Sequence, residues 1–292
     1  EALDHDTYDA FWHRLDITGY ATMAIPVLHV TGWFDGCAPG SFHHYYAMRD
    51  RSPVPEQQAL LVGAWGHGGA CATGRAIEGV WDLGPQANLD LPAVWLAWFD
   101  HWLRGVEKNP LPPVRYFAMG ANAWRDATSW PPADTSRLAL FLAADSSLTT
   151  HLPASGLRTY LYDANDPTPG AEHLSPDPLP DWSPRNLAFL EQRTDVLSYT
   201  AAPVREPVEI AGPVHVALHA ASSAPDTDFA AILADVAPDG TSVFISHGIM
   251  RASYRTSLAL RTPLKPHQPE QFTIELADVA HVLLPGHALR LV

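Results

Sequence analysis

Ile25-Pro26-Val27-Leu28-His29-Val30-Thr31-Gly32-Trp33-Phe34-Asp35-Gly36 (25–36) and Ala59-Leu60-Leu61-Val62-Gly63-Ala64-Trp65-Gly66-His67-Gly68-Gly69 (59–69) decide the fold. Each begins as a short apolar run and ends at a glycine, the pattern of a strand buried on both faces of a parallel sheet. Between them Pro39 to Met48 reads as a helix, with Phe42, Tyr45 and Tyr46 on one face. Strand, helix and strand at this distance form a βαβ unit, whose crossover is right-handed.

Working outward, residues 91–103 carry the clearest helical period in the chain. Leu91, Val94, Trp95, Trp98, Phe99, Trp102 and Leu103 fall at i, i+3, i+4, i+7, i+8, i+11 and i+12. Asp90 suits the N-cap, Pro92 the first turn and Gly105 the position after the last turn. So broad an apolar face is expected against a sheet. Asn109-Pro110-Leu111-Pro112-Pro113 then breaks the helical period and reads as a domain boundary. Beyond it apolar residues alternate: Val114, Tyr116, Ala118; Val214, Val216, Leu218; Phe272, Ile274, Leu276. Pro238-Asp239-Gly240 reads as a hairpin turn, and the Pro- and Asp-rich stretch from Asp163 to Asn186 as a long surface loop. The predicted class is α/β plus all-β, with an α/β segment over 1–109 and a β-sandwich of the jelly-roll kind over 110–292.

Composition excludes several functions. Of 292 residues, 18 are Lys or Arg and 32 are Asp or Glu, a net charge of −14. Nucleic-acid binding needs clustered basic residues and is not expected. Pro92 to Leu103 is too short to span a bilayer and carries Asp100 and His101, so no membrane association is expected. The acidic start, Glu1-Ala2-Leu3-Asp4, lacks the look of a signal peptide. The sequence does not fix a compartment; the cytoplasm is favoured. Two cysteines, Cys37 and Cys71, cannot build a disulfide framework, and their redox state stays open.

In open α/β sheets the chemistry sits in loops just past the carboxyl ends of the strands. Here an acid, Asp35, follows the first strand and a histidine, His67, follows the second. If the strands are neighbours, Asp35 can hold one ring nitrogen of His67 and leave the other as a general base. Taken singly, Asp35 also reads as a turn or cap acid and His67 as an ordinary loop histidine. Trp33, Phe34 and Trp65 are candidates to wall a substrate pocket, and read equally as core aromatics.

Three segments together resemble the CocE/NonD serine hydrolases, the cocaine esterase-like family related to the Xaa-Pro dipeptidyl-peptidases and the α-amino acid ester hydrolases. They are Gly32-Trp33-Phe34-Asp35-Gly36, Gly63-Ala64-Trp65-Gly66-His67-Gly68 and Trp98-Phe99-Asp100-His101-Trp102-Leu103-Arg104-Gly105. Met119 to Arg125, Asp226 to Phe229 and Leu233 to Gly240 resemble that family's C-terminal jelly roll. The resemblance implies that 1–109 is the C-terminal, incomplete part of an α/β-hydrolase domain with a Ser-His-Asp triad in the order nucleophile, acid, histidine, with Asp35 as the acid and His67 as the base. No Gly-x-Ser-x-Gly elbow occurs in the chain. Ser41 follows Gly40, but it comes after the acid and is flanked by Phe42 and His43. The nucleophile is therefore expected on a missing N-terminal hydrolase segment, in the same or a separate chain, and the isolated chain is expected to be inactive. The amino acid ester hydrolases carry extra carboxylates after the triad acid; Gly36, Cys37 and Ala38 are uncharged, which favours a neutral acyl group in an ester or amide substrate.

Other constellations carry less. Cys37, His43, His44, His67 and Cys71 match no compact zinc spacing, and no metal or cofactor is expected. Asp226, Asp228, Asp235 and Asp239 lack the pattern of a calcium loop and read as strand-edge and turn acids. Tyr8, Phe11 and Trp12 at the start and the strand-like Leu289-Arg290-Leu291-Val292 at the end suggest a piece of a longer polypeptide. A homo-oligomer is compatible with the sequence. The rival function is a jelly-roll module binding a carbohydrate or a protein, with a structural α/β stub.

Overall fold

The structure, a computed structural model, describes residues 2–67, 77–78, 80–106, 111–169 and 185–292. After a short helix α1 (Ala10–His13), β1 (Val27–Phe34), α2 (Ala38–Arg51) and β2 (Gln58–Gly66) form the βαβ unit, with β1 and β2 parallel. Both strands outlast the apolar runs that reveal them: β1 continues through Gly32, Trp33 and Phe34, and β2 through Trp65 and Gly66. A small hairpin follows, β3 (Ile77–Glu78) with β4 (Trp81–Asp82), and then helix α3 (Leu91–Arg104).

The ends of α3 obey the capping signals. The Asp90 carboxylate accepts from the Ala93 N–H at 3.0 Å, and Gly105 takes φ 70°, which costs glycine little. Its apolar face is only half used. Leu91 and Trp98 are buried against the sheet, whereas Leu96, Phe99 and Leu103 are more than half exposed. Asp100 is paired with Arg104 one turn on, at 2.8 Å. No helix among the described residues is long and apolar enough to cross a membrane.

Strands β5 (Val114–Ala118) and β6 (Ala123–Ala127) lie past the Pro-rich stretch, yet they complete the first sheet, in the order β1-β2-β5-β6. β5 runs parallel to β2 with Leu60 opposite Val114, so the sheet crosses the boundary expected at 109/110. Asn109 and Pro110 of that stretch lie outside the described residues.

The remaining strands are β7 (Phe141–Leu142), β8 (Ser147–Thr149), β9 (Tyr199–Ala201), β10 (Val208–Ala220), β11 (Asp228–Val236), β12 (Ser242–Arg251), β13 (Glu270–Leu283) and β14 (Ala288–Leu291), with the short helix α4 (Ala188–Glu191) between β8 and β9. They make a six-stranded sheet, β12-β11-β14-β9-β8-β7, and a long antiparallel pair, β10-β13. Period two is obeyed on β13: Phe272, Ile274 and Leu276 are buried and Gln271, Thr273 and Glu275 exposed. The hairpin turn at 238–240 joins β11 to β12, with Gly240 at φ 88°. Most of the loop read from Asp163 to Asn186 lies outside the described residues.

One core runs through both parts, from Phe42 and Val62 through Phe117 to Phe272 and Val282. A half-buried acid ties it together. The β10-β13 register shifts so that Ala277 and Asp278 of β13 stand opposite the single Pro213 of β10, a bulge of one extra residue that re-aims a side chain. Asp278 Oδ1 accepts from Tyr46 OH on α2 at 2.7 Å and from Trp130 Nε1 at 2.8 Å. Burial outweighs these two bonds and raises its pKa above the usual carboxylate value. A folded-state pKa above the unfolded one means that the native state binds the extra proton, so stability falls as pH rises through that range. Asp278→Asn keeps an acceptor and cannot ionise. Its urea midpoint is therefore expected to gain on the wild type's as pH rises from the ordinary carboxylate pKa upward; a difference that does not change with pH would contradict this account of the acid.

Candidate active site

The site grows out of the register of β1 on β2. Gly32 lies opposite Gly63 and Phe34 opposite Gly66, so the residues that follow, Asp35 and His67, leave neighbouring strands side by side. Asp35 opens an Asx turn: its Oδ1 accepts from the Cys37 N–H at 2.8 Å, and its carbonyl accepts from the Ala38 N–H at 2.9 Å, which starts α2. The same Oδ1 lies 3.0 Å from His67 Nδ1. The carboxylate accepts from this nitrogen, which places the ring proton on Nδ1 and leaves Nε2 with a free lone pair. The acid is 16% exposed and the imidazole 73%, so the pair has a sheltered anchor and an open working end.

The glycines beneath the pair are there for close packing. A Cβ on Gly32 would fall on the Trp65 carbonyl and indole, and one on Gly63 would fall within the same indole. The indole of Trp65 lies across both positions, and any side chain there would displace it.

Trp33, Phe34 and Trp65 lie in the core of the described residues. All three are at most 7% exposed. Trp33 donates from Nε1 to the Phe117 carbonyl at 2.7 Å and stacks on Phe42, Phe34 packs edge-on to Trp81, and Trp65 packs on Trp124. The reason is the length of the strands: these residues lie within buried strands, not in the loops beyond them. A cavity of about 370 Å³ lies in the β-rich part, lined by residues that include Arg158, Glu191 and Arg290. It shares no residue with the Asp35–His67 pair.

The wider zinc constellation is also dispersed. His44 Nδ1 pairs with Tyr20 OH at 2.7 Å, and His43 packs near the same tyrosine. Cys71, with the question of its pairing to Cys37, lies outside the described residues. What does converge is smaller: Asp35, Cys37 and His67 bring one donor atom each within 4.8 Å of one another. Reading along the sequence missed a second cluster. Asp235, expected at a strand edge or turn, is buried in β11, with Oδ2 2.8 Å from His281 Nε2 and Oδ1 2.7 Å from His287 Nδ1. Trp81 stacks on His281 at 5.1 Å. Partners 46 and 52 residues away leave no local signal. The other acids of that group have protein partners: Asp228 pairs with Arg251, Asp226 with Arg261, and Asp239 caps the Thr241 N–H.

Residues 105–292 match the X-Pro dipeptidyl-peptidase C-terminal non-catalytic domain, and residues 1–69 match the X-Pro dipeptidyl-peptidase (S15 family). Cocaine esterase from Rhodococcus sp. (strain MB1 Bresler) is 31% identical over 304 aligned positions, covering 99% of this chain and 52% of that protein. An aminopeptidase from a marine sediment Thaumarchaeota archaeon superposes with a TM-score of 0.89 at 27% identity, over 99% of this chain and 50% of its own. An α-amino acid ester hydrolase superposes at 0.85 and 28% identity, over 99% and 51%. The chain belongs to the family of serine hydrolases that includes the X-Pro dipeptidyl-peptidases and the CocE/NonD esterases. It spans about half the length of these relatives.

Proposed function

We propose that this chain supplies the acid and the base of a Ser-His-Asp triad whose serine lies on an N-terminal hydrolase segment outside residues 1–292. The observation that carries this reading is the 3.0 Å contact between Asp35 Oδ1 and His67 Nδ1 at the tips of adjacent parallel strands. In the intact enzyme the serine hydroxyl gives its proton to His67 Nε2 while Oγ attacks the substrate carbonyl. The imidazolium then protonates the leaving alcohol or amine, and an acyl-enzyme remains. Asp35 fixes the tautomer and stabilises the imidazolium. Water attacks the acyl-enzyme in the second half, with His67 again the base.

Two features favour packing against a further segment. The outer edge of β1 has no strand partner among the described residues. Leu96, Phe99 and Leu103 of α3 stand exposed. The β-rich part is proposed as a jelly roll and not as a source of catalytic groups, in keeping with its match to a non-catalytic domain. Gly36, Cys37 and Ala38 put no charge beside the acid, which supports an ester or amide with a neutral acyl group. A serine-directed phosphonate is expected to label the intact protein at a serine outside residues 1–292 and to leave the isolated chain unlabelled, with mass spectrometry mapping the adduct. An adduct on Ser41 or on any other residue of this chain would overturn the assignment.

A further inference from the structure

Cys37 has no part in the relay beyond its backbone N–H, yet its thiol lies beside both groups of the relay. We propose that Asp35, Cys37 and His67 form a binding site for one thiophilic divalent cation of the zinc class. A carboxylate oxygen, a thiol sulfur and a ring nitrogen, all within 4.8 Å of one another, make a mixed O/S/N donor set. Around tetrahedral zinc, with bonds of about 2.0–2.3 Å, such donors stand roughly 3.3–3.6 Å apart. Closure therefore needs a movement on the order of one ångström. The local fold permits it. Cys37 and Asp35 are fixed to each other by the Asx turn, and His67, on the turn after β2, is 73% exposed and can move toward them. Cys37 is exposed as well, so a cation reaches the site from solvent.

Three protein donors leave the fourth position open to water. The thiolate selects zinc-like ions over magnesium and calcium, which prefer all-oxygen shells. Binding breaks the Sγ–H bond and releases that proton to solvent, while the ring proton moves from Nδ1 to Nε2 so that Nδ1 can ligate; sulfur–metal and nitrogen–metal bonds form and no electron is transferred. An ion held this way occupies the carboxylate and the ring that the relay uses, so it would arrest proton transfer reversibly. That consequence rests on the proposed function; the site itself does not.

The test is a cobalt(II) titration of the intact protein, followed by the thiolate-to-cobalt charge-transfer absorption. One equivalent is expected to saturate the band, and zinc to displace it. Cys37→Ser is expected to abolish the band, and both Cys37→Ser and His67→Ala to weaken zinc binding on the order of 100-fold or more, with circular dichroism unchanged because both side chains are exposed. Cys71→Ser is expected to retain the band. Absence of the band, its survival in Cys37→Ser, or its loss only in Cys71→Ser would overturn the proposal. Hydrolysis is read separately. A Cys37-dependent cobalt band with full turnover in His67→Ala would leave the metal site standing and remove the relay; no band with turnover abolished would do the reverse.

Discussion

His67→Ala in the intact protein is expected to lower kcat by about 10⁴-fold or more while leaving the fold unchanged. The magnitude follows from the role. Without a base on Nε2 the serine must attack as a neutral alcohol, and the leaving group departs without a proton; binding and oxyanion stabilisation alone carry what remains. The fold survives because the side chain is 73% exposed and its one described hydrogen bond is the one to Asp35. Surface changes of this kind move stability by about 0.5 kcal/mol or less. A kcat within tenfold of wild type would remove His67 from the reaction.

Asp35→Asn is expected to cost about 10⁴-fold in kcat by a different route. An asparagine can still accept from the Cys37 N–H, so the Asx turn that opens α2 persists. What changes is the charge. One oxygen, Oδ1, takes both the Cys37 N–H and His67 Nδ1, so an amide that keeps the turn still accepts from the ring but, being neutral, bonds it more weakly and no longer stabilises the imidazolium that forms when Nε2 takes the serine proton. Asp35→Ala adds a second effect, because the turn loses its acceptor at a cost of about 1 kcal/mol. The pair of variants therefore separates positioning from folding. Asn is expected to abolish turnover at an unchanged urea midpoint, and Ala to lower both. Equal activity in Asn and wild type would show that the carboxylate does not orient the ring.

Much of this site was legible in the sequence, for a physical reason. A strand buried on both faces reads as an unbroken apolar run, and two such runs around a helix can pair in parallel in few ways. Asp35 and His67 at corresponding positions past Val27–Thr31 and Ala59–Val62 therefore met across β1 and β2. For the aromatics the same runs left two readings open. Gly32 and Gly63 look like strand ends, but here they make room for the Trp65 indole while the strands continue, so Trp33, Phe34 and Trp65 belong to the core. The alternation in β5 announced a strand without saying which sheet it joins; pairing with β2 is a long-range choice that local pattern does not encode. The period of α3 announced an apolar face, but only Leu91 and Trp98 are fully buried on it. The Asp235–His281–His287 cluster was invisible for the same long-range reason.

The most direct test of the relay is the protonation pattern of the His67 ring, read by ¹⁵N NMR on histidine-labelled intact protein at neutral pH. The account predicts a proton on Nδ1, shifted downfield by its bond to Asp35, and an unprotonated Nε2, with that signal lost in Asp35→Asn. A ring that carries its proton on Nε2, or one whose spectrum is the same in Asp35→Asn, would contradict it.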